Sequence, residues 1–143
     1  MVDVMSNTTN TAPEARPSLD AATSAVDAYL ATWNETDPTA RAERCSASLG
    51  DDIWYRDPML ESDGLEAYGE MIAAVQAQFP GFEMRRTSDV DLHHDVVRFE
   101  WALGLPGEDP AIAGLDVAKL DAGGKLHRII GFVPARTPGA AAE

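Results

Sequence analysis

The chain has 143 residues, 45% of them hydrophobic, and a formal net charge of −13 from 24 acidic against 11 basic side chains. That length suffices for one domain with its own core, and the single Cys45 rules out an internal disulfide and fits a reducing compartment. The acidic surplus, with no Lys/Arg cluster to reverse it locally, sets the chain against nucleic-acid phosphates and anionic membrane surfaces; a neutral or weakly charged small molecule is the ligand class least penalised.

Residues 1–17 are polar, rich in Ser, Thr, Asn and Ala, and show no hydrophobic period, so a disordered tail is expected there. They lack the basic start and apolar run of a secretory signal, and no segment approaches the roughly 20 apolar residues of a membrane span. The chain reads as cytoplasmic. One domain is expected over 18–134 and a second tail over 135–143. Ser18 is placed to cap a first helix whose Ala22, Val26, Tyr29, Leu30 and Trp33 share one face. Asp37-Pro38 pairs a cap with a first-turn proline and opens a short second helix toward Leu49-Gly50; Cys45 lies on its apolar stripe with Ala42 and Leu49 and reads as packing. A brief strand over Ile53–Asp57 follows. Asp63-Gly64-Leu65-Glu66 has capping-box spacing, and Leu65, Tyr68, Ile72, Val75 and Phe79 keep three-and-four spacing until Pro80-Gly81 ends a third helix.

The second half is rich in β-branched and aromatic residues, and strands are predicted over Phe82–Leu92, Val96–Leu103, Ile112–Leu120 and Lys125–Val133. Turn residues separate them: His94-Asp95, Pro106-Gly107-Glu108-Asp109-Pro110 and Asp121-Ala122-Gly123-Gly124. Short turns between consecutive strands imply an antiparallel meander, and three helices followed by such a sheet form an α+β arrangement with the helices on one face. Ile112, Asp116, Ala118 and Leu120 share a face of their strand, which leaves Leu115 and Val117 on the other. An apolar outer face needs a cover, so a homodimer through the outer sheet surface is expected.

Two acids fall where the pattern buries them: Asp57 in Trp54-Tyr55-Arg56-Asp57-Pro58, and Asp116 in Gly114-Leu115-Asp116-Val117-Ala118. A buried carboxyl is costly unless it is paired, hydrogen-bonded or protonated. Milder readings stand beside this one. Tyr29 can be a core tyrosine, Asp57 can end a strand before Pro58, and a one-residue slip would turn Asp116 outward. His93-His94 point oppositely on a strand and do not make a metal site. His127 stands alone in the last strand, facing either the cavity or solvent.

The order of elements and three local motifs resemble the nuclear transport factor 2-like superfamily, a cone-shaped α+β fold of three N-terminal helices packed on a curved antiparallel sheet. Within it the chain is most similar to the ketosteroid isomerase and SnoaL-like polyketide cyclase branch. The motifs are Tyr29-Leu30-Ala31-Thr32-Trp33-Asn34-Glu35-Thr36-Asp37, the strand-end Asp57-Pro58, and Leu115-Asp116-Val117-Ala118-Lys119-Leu120-Asp121-Ala122-Gly123-Gly124-Lys125. The resemblance implies cofactor-independent proton transfer on a small apolar carbonyl compound, an isomerase or a cyclase-like lyase. Asp57 would be the general base, with Tyr29 and a protonated Asp116 as the oxyanion pair, the arrangement for which ketosteroid isomerase is itself the worked case. It further implies a pocket between helices and sheet, with Trp33, Trp54, Met71, Ile72, Val75, Val97, Phe99, Trp101 and Ile129 as substrate-binding residues. One departure is visible: where family isomerases carry a tyrosine on the third helix, the aligned positions here are Met71 and Ile72.

Two other functions fit the same pattern. A non-catalytic ligand-binding or oligomerisation module could use the same cavity. Arg98-Phe99-Glu100 also resembles, faintly, the Arg-x-Asp of limonene-type epoxide hydrolases, although the last strand lacks their second carboxylate. Alternation puts Arg98 and Glu100 on the outer face, where an exposed ion pair is expected.

Overall fold

The computed structural model describes residues 16–134; the expected tails lie almost wholly outside the described residues. Three helices, α1 (Leu19–Thr32), α2 (Pro38–Ser48) and α3 (Leu65–Gln78), accompany seven strands: β1 (Leu49–Arg56), β2 (Glu61–Asp63), β3 (Glu83–Arg86), β4 (Asp91–His93), β5 (Val96–Gly104), β6 (Ile112–Leu120) and β7 (Leu126–Phe132). The strands form one sheet in the order β2-β1-β7-β6-β5-β3, with β4 also paired to β5. Side chains from the helices and from the inner face of the sheet meet in a single core, with Val26, Tyr29, Ile53, Tyr68, Ile72, Phe99 and Ile129 at its centre. No described helix is long and apolar enough to cross a membrane.

Two helices start as their sequences dictate. Ser18 Oγ accepts from the Ala21 amide at 3.0 Å and Asp37 Oδ2 from the Ala40 amide at 2.8 Å, each satisfying an otherwise orphaned first-turn N–H. The third does not. Its N-cap is Gly64 at φ +90°, a conformation that favours glycine, and no side chain caps it. Asp63, the expected cap, is held in β2 opposite Trp54, with its carboxylate 3.1 Å from the Arg56 guanidinium.

The sheet departs from the sequence reading in three ways. β1 begins at Leu49 rather than Ile53, running on directly from α2, and a hairpin adds the short β2. β1 runs parallel to β7, so the sheet is mixed, while β5-β6-β7 form the expected antiparallel meander. The segment 82–92 is two strands, because Ser88 interrupts the ladder: its Oγ accepts the Glu100 amide at 2.8 Å in place of a backbone carbonyl.

Register places the two acids. Asp116 pairs with Phe99 on one side and Gly131 on the other, and Asp57 follows Arg56, the partner of Ile130. The slipped register is thereby excluded: Asp116 is 1% exposed. The opposite face carries Leu115 and Val117, half-buried, with Ile130 39% and Phe132 54% exposed. Arg98 lies there as expected, 3.2 Å from Asp91 across the strand pair and 3.9 Å from Glu100.

Candidate functional site

Three elements bring polar groups to one apolar hollow. α1 supplies Tyr29, whose hydroxyl donates to Asp116 Oδ2 at 2.8 Å. β5 supplies Trp101, whose indole Nε1–H donates to Asp116 Oδ1 at 3.0 Å. Asp116 itself comes from the inner face of β6, so both of its oxygens are engaged away from solvent. Burial pushes this carboxyl up to about 6; the donors Tyr29 and Trp101 pull the other way, and the negative charge of Asp57 adds to the rise. The Tyr29 phenol is likewise raised well above its ordinary value, first by burial and then by Asp116, and stays protonated.

Two glycines make this geometry fit. At Gly114, the strand partner of Trp101, a side-chain carbon would lie 2.6 Å from Trp101 Cζ2, so the glycine leaves the indole its path to Asp116. At Gly131 it would lie 2.8 Å from Asp116 Oδ1 and 3.2 Å from Asp57 Cβ. The two acids therefore flank one glycine.

Asp57 sits in the turn between β1 and β2 and is half-buried. Its Oδ1 accepts from the amides of Met59 and Leu60, both at 2.8 Å, and its Oδ2 from the Tyr55 hydroxyl at 2.7 Å. A carboxylate has about four acceptor directions. Three are taken, and one remains on Oδ2.

Tyr29, Tyr55, Asp57 and Trp101 share the wall of a cavity of about 130 Å³ with Trp33, Met59, Val75, Phe79, Met84, Leu103 and Ile112, among others. Among the described residues, no Lys, Arg or His lines it. Met59, 71% exposed, marks its mouth. A closed apolar cavity near 150 Å³ holds about one benzene ring, and the hollow is of that order of size, with an open mouth at Met59.

Of the residues expected to wall the pocket, Trp33, Val75 and Trp101 do so. Met71, Ile72, Val97, Phe99 and Ile129 are buried core residues behind the wall, with Phe99 edge-on to Tyr29 at 6.0 Å between ring centroids. Trp54 is a correction. Alternation along β1 turns it to the outer face, where the guanidiniums of Arg56 and Arg128 lie 4.4 and 5.6 Å from its ring. Tyr55 takes the inner place instead, and the signal was available: a residue two before an inward Asp57 shares its face. The third helix does carry a tyrosine, Tyr68, though not at Met71 or Ile72. It lies one helical turn earlier on the same stripe, with its ring 6.0 Å from Tyr55 and 6.2 Å from Trp33. Its hydroxyl is 3.0 Å from Thr32 Oγ1, not on the cavity wall.

Asp116 is a second correction. It stands behind Tyr29 and Trp101 rather than on the wall, so Tyr29 lies between its carboxyl and the cavity and the two are not side by side there. His127 does not face the cavity; a shift of register beside it turns Nδ1 toward Asp52 Oδ2, 3.4 Å away. His93 and His94 meet each other on the surface with Nδ1 atoms 3.2 Å apart. Cys45 is buried as expected, which raises its thiol.

A curved, unclosed mixed sheet folded over three helices is the fold of nuclear transport factor 2-like proteins. The solved structures it resembles include SnoaL-like and ketosteroid isomerase-like members of that fold. A proposed isomerase of the SnoaL-like family from Agrobacterium tumefaciens C58 has a TM-score of 0.76 at 28% identity, over 81% of this chain and 99% of that one. A proposed ketosteroid isomerase from Kribbella flavida has a TM-score of 0.61 at 18% identity, over 82% of this chain and 81% of that one. An epoxide hydrolase from M. tuberculosis has a TM-score of 0.58 at 19% identity, over 80% and 83% respectively. The last two likenesses speak for the fold alone. No family model and no curated protein sequence matches the chain.

Proposed function

We propose that the chain is a cofactor-independent enzyme of proton transfer, acting on a single-ring or comparably small carbonyl compound. The observation that carries this reading is the convergence of Asp57 and Tyr29 on one apolar cavity, with Asp116 dry behind the tyrosine. The free acceptor direction of Asp57 Oδ2 takes a proton from the carbon beside the carbonyl. The electron pair moves onto the carbonyl oxygen, and the Tyr29 hydroxyl stabilises the enolate by donating to it. Returning the proton at another carbon completes an isomerisation; attack of the enolate on a second carbonyl closes a ring.

Tyr29 has one proton, and an ionised Asp116 claims it. The phenol is free to donate into the cavity only when Asp116 is itself protonated, so the rate should fall as pH rises through about 6. Deuterium uptake from heavy water into cyclohexanone, followed by NMR, checks both points. Wild type should accelerate it, and Asp57→Asn should lower the acceleration by about 100-fold or more with the fold intact. Equal rates in the two proteins would reject Asp57 as the base.

A non-catalytic ligand module is favoured by one fact: both Asp116 oxygens are already satisfied within the protein. It predicts cyclohexanone affinity indifferent to Asp57→Asn and no deuterium uptake. For the epoxide hydrolase reading, Arg98 and Glu100 are on the wrong side of the sheet, and incorporation of oxygen-18 from water into a diol would be needed to revive it.

The outer face, with Phe132 and Ile130 exposed beside Leu115 and Val117, supports a homodimer in solution. Gel filtration with light scattering should give twice the chain mass, and Phe132→Glu should return it to the monomer mass.

A further inference from the structure

Trp101 stands out because it does more than wall the cavity. Its indole crosses the backbone of Gly114 to reach a carboxyl oxygen that no other described element approaches as a donor. We propose that Trp101 is a positioning residue that assigns the Asp116 proton to Oδ2 and thereby turns the Tyr29 hydroxyl into the cavity. This deepens the proton-transfer reading and rests on it.

An indole N–H donates and cannot accept. Oδ1, 3.0 Å from Trp101 Nε1, must therefore be an acceptor in either charge state. A proton on Oδ1 would weaken or forfeit that bond inside a dry site, where a buried N–H left without an acceptor is costly. The proton of the neutral acid accordingly sits on Oδ2, which faces Tyr29 Oη at 2.8 Å. Tyr29 then accepts from Asp116, and its own proton is left for the cavity whose wall it forms. The order of donation runs from Trp101 to Asp116 to Tyr29 to a ligand oxygen. Gly131 fixes the carboxyl from the other side, since even one added carbon would crowd Oδ1 at 2.8 Å.

The groups that act on Asp116 from the surrounding elements are Tyr29 of α1, Tyr55 of β1, Asp57 of the following turn, Tyr68 of α3 and Trp101 of β5. None is a cation. Among the described residues no positive charge competes for the proton, which leaves the choice to the donor-only indole.

The test uses cyclohexanone as the probe, whose carbonyl stretch falls in frequency when it accepts a hydrogen bond. In wild type a lowered band is expected at about pH 5 and lost at about pH 8. Asp116→Asn should show it at both, because its amide oxygen must face Trp101 and its NH2 must face Tyr29. Trp101→Phe should lose the lowered band at acid pH while the Asp116 carboxyl, followed by carbon-13 NMR, is still protonated; the band persisting in that variant overturns the proposal. If no protein binds cyclohexanone, the reading of the cavity as a carbonyl site fails, and the carboxyl titration decides the role of Trp101 without a ligand. Its midpoint should rise in Trp101→Phe, which has lost a donor to the ionised form, and an unchanged midpoint overturns the assignment. Should Trp101→Phe not fold, the indole N–H resonance of Trp101 in the intact chain must move with the Asp116 titration, and indifference to it is equally fatal.

Discussion

Asp116→Asn should reverse the usual sign of a core polar substitution and make the protein relatively more stable as pH rises. In the folded chain the Asp116 carboxyl titrates at about 6 against an ordinary value of 3.8, chiefly because burial penalises its charge. The folded state therefore holds a proton that the unfolded chain releases over that interval. Its contribution is fully present below the ordinary value, declines as pH climbs, and is gone above about 6. That interval corresponds to about 3 kcal/mol. Asparagine has nothing to ionise, so the stability difference between variant and wild type should shift by about 2.5 kcal/mol in the variant's favour from about pH 4 to about pH 8. Only the constant offset depends on how the second amide hydrogen is accommodated. Urea unfolding of both proteins across that range measures the slope, and parallel curves would contradict a desolvated Asp116.

Gly114→Ala should be the most damaging single-methyl change in the sheet. The new carbon would lie 2.5 Å from the Phe132 carbonyl oxygen and 2.6 Å from Trp101 Cζ2. The first belongs to the backbone of the neighbouring strand β7 and cannot yield without opening the β6–β7 ladder; the second can move only by leaving Asp116. Overpacking of this kind typically costs 1–3 kcal/mol, and with a backbone atom in the way a loss of about 3 kcal/mol or more is expected. Gly131→Ala makes the useful contrast. Its nearest neighbours are the side-chain atoms Asp116 Oδ1 and Asp57 Cβ, at 2.8 and 3.2 Å, so it should disturb the acids more than the fold. Thermal unfolding of the two variants separates the effects. A Gly114→Ala protein as stable as wild type would mean that the indole does not pass where it is placed.

The fold was legible because its signals are local and mutually consistent. Ser18 and Asp37-Pro38 announce two helix starts by chemistry that needs no tertiary partner, and the bounds of β6 follow from a β-rich run between turns. What escaped was set at a distance. Asp63 has the spacing of a cap yet is claimed by Arg56, seven residues before it, and nothing in the local pattern says that β1 lies parallel to β7.

The site divides the same way. Tyr29, Asp57 and Asp116 stand out as polar groups at apolar positions, and all three reach one region of the structure. Trp54 and Tyr55 are hard to tell apart because a short strand with large residues on both faces does not declare its phase; an inward Asp57 settles it for Tyr55. Tyr68 sits one turn before Met71 and Ile72 on the same helical stripe, so spacing alone does not tell which of them faces the cavity. The serial order of Tyr29 and Asp116 could not have been read at all, since it depends on how far α1 stands from β6, a distance created only when the core packs.

The carbon-13 titration of the Asp116 carboxyl in the wild-type chain tests the central claim most directly. A midpoint near 6 that rises further when Trp101 or Tyr29 loses its donor is the predicted result. A midpoint at the ordinary 3.8, unmoved by either change, would put that side chain in water and leave Tyr29 without the neutral acid on which its role depends.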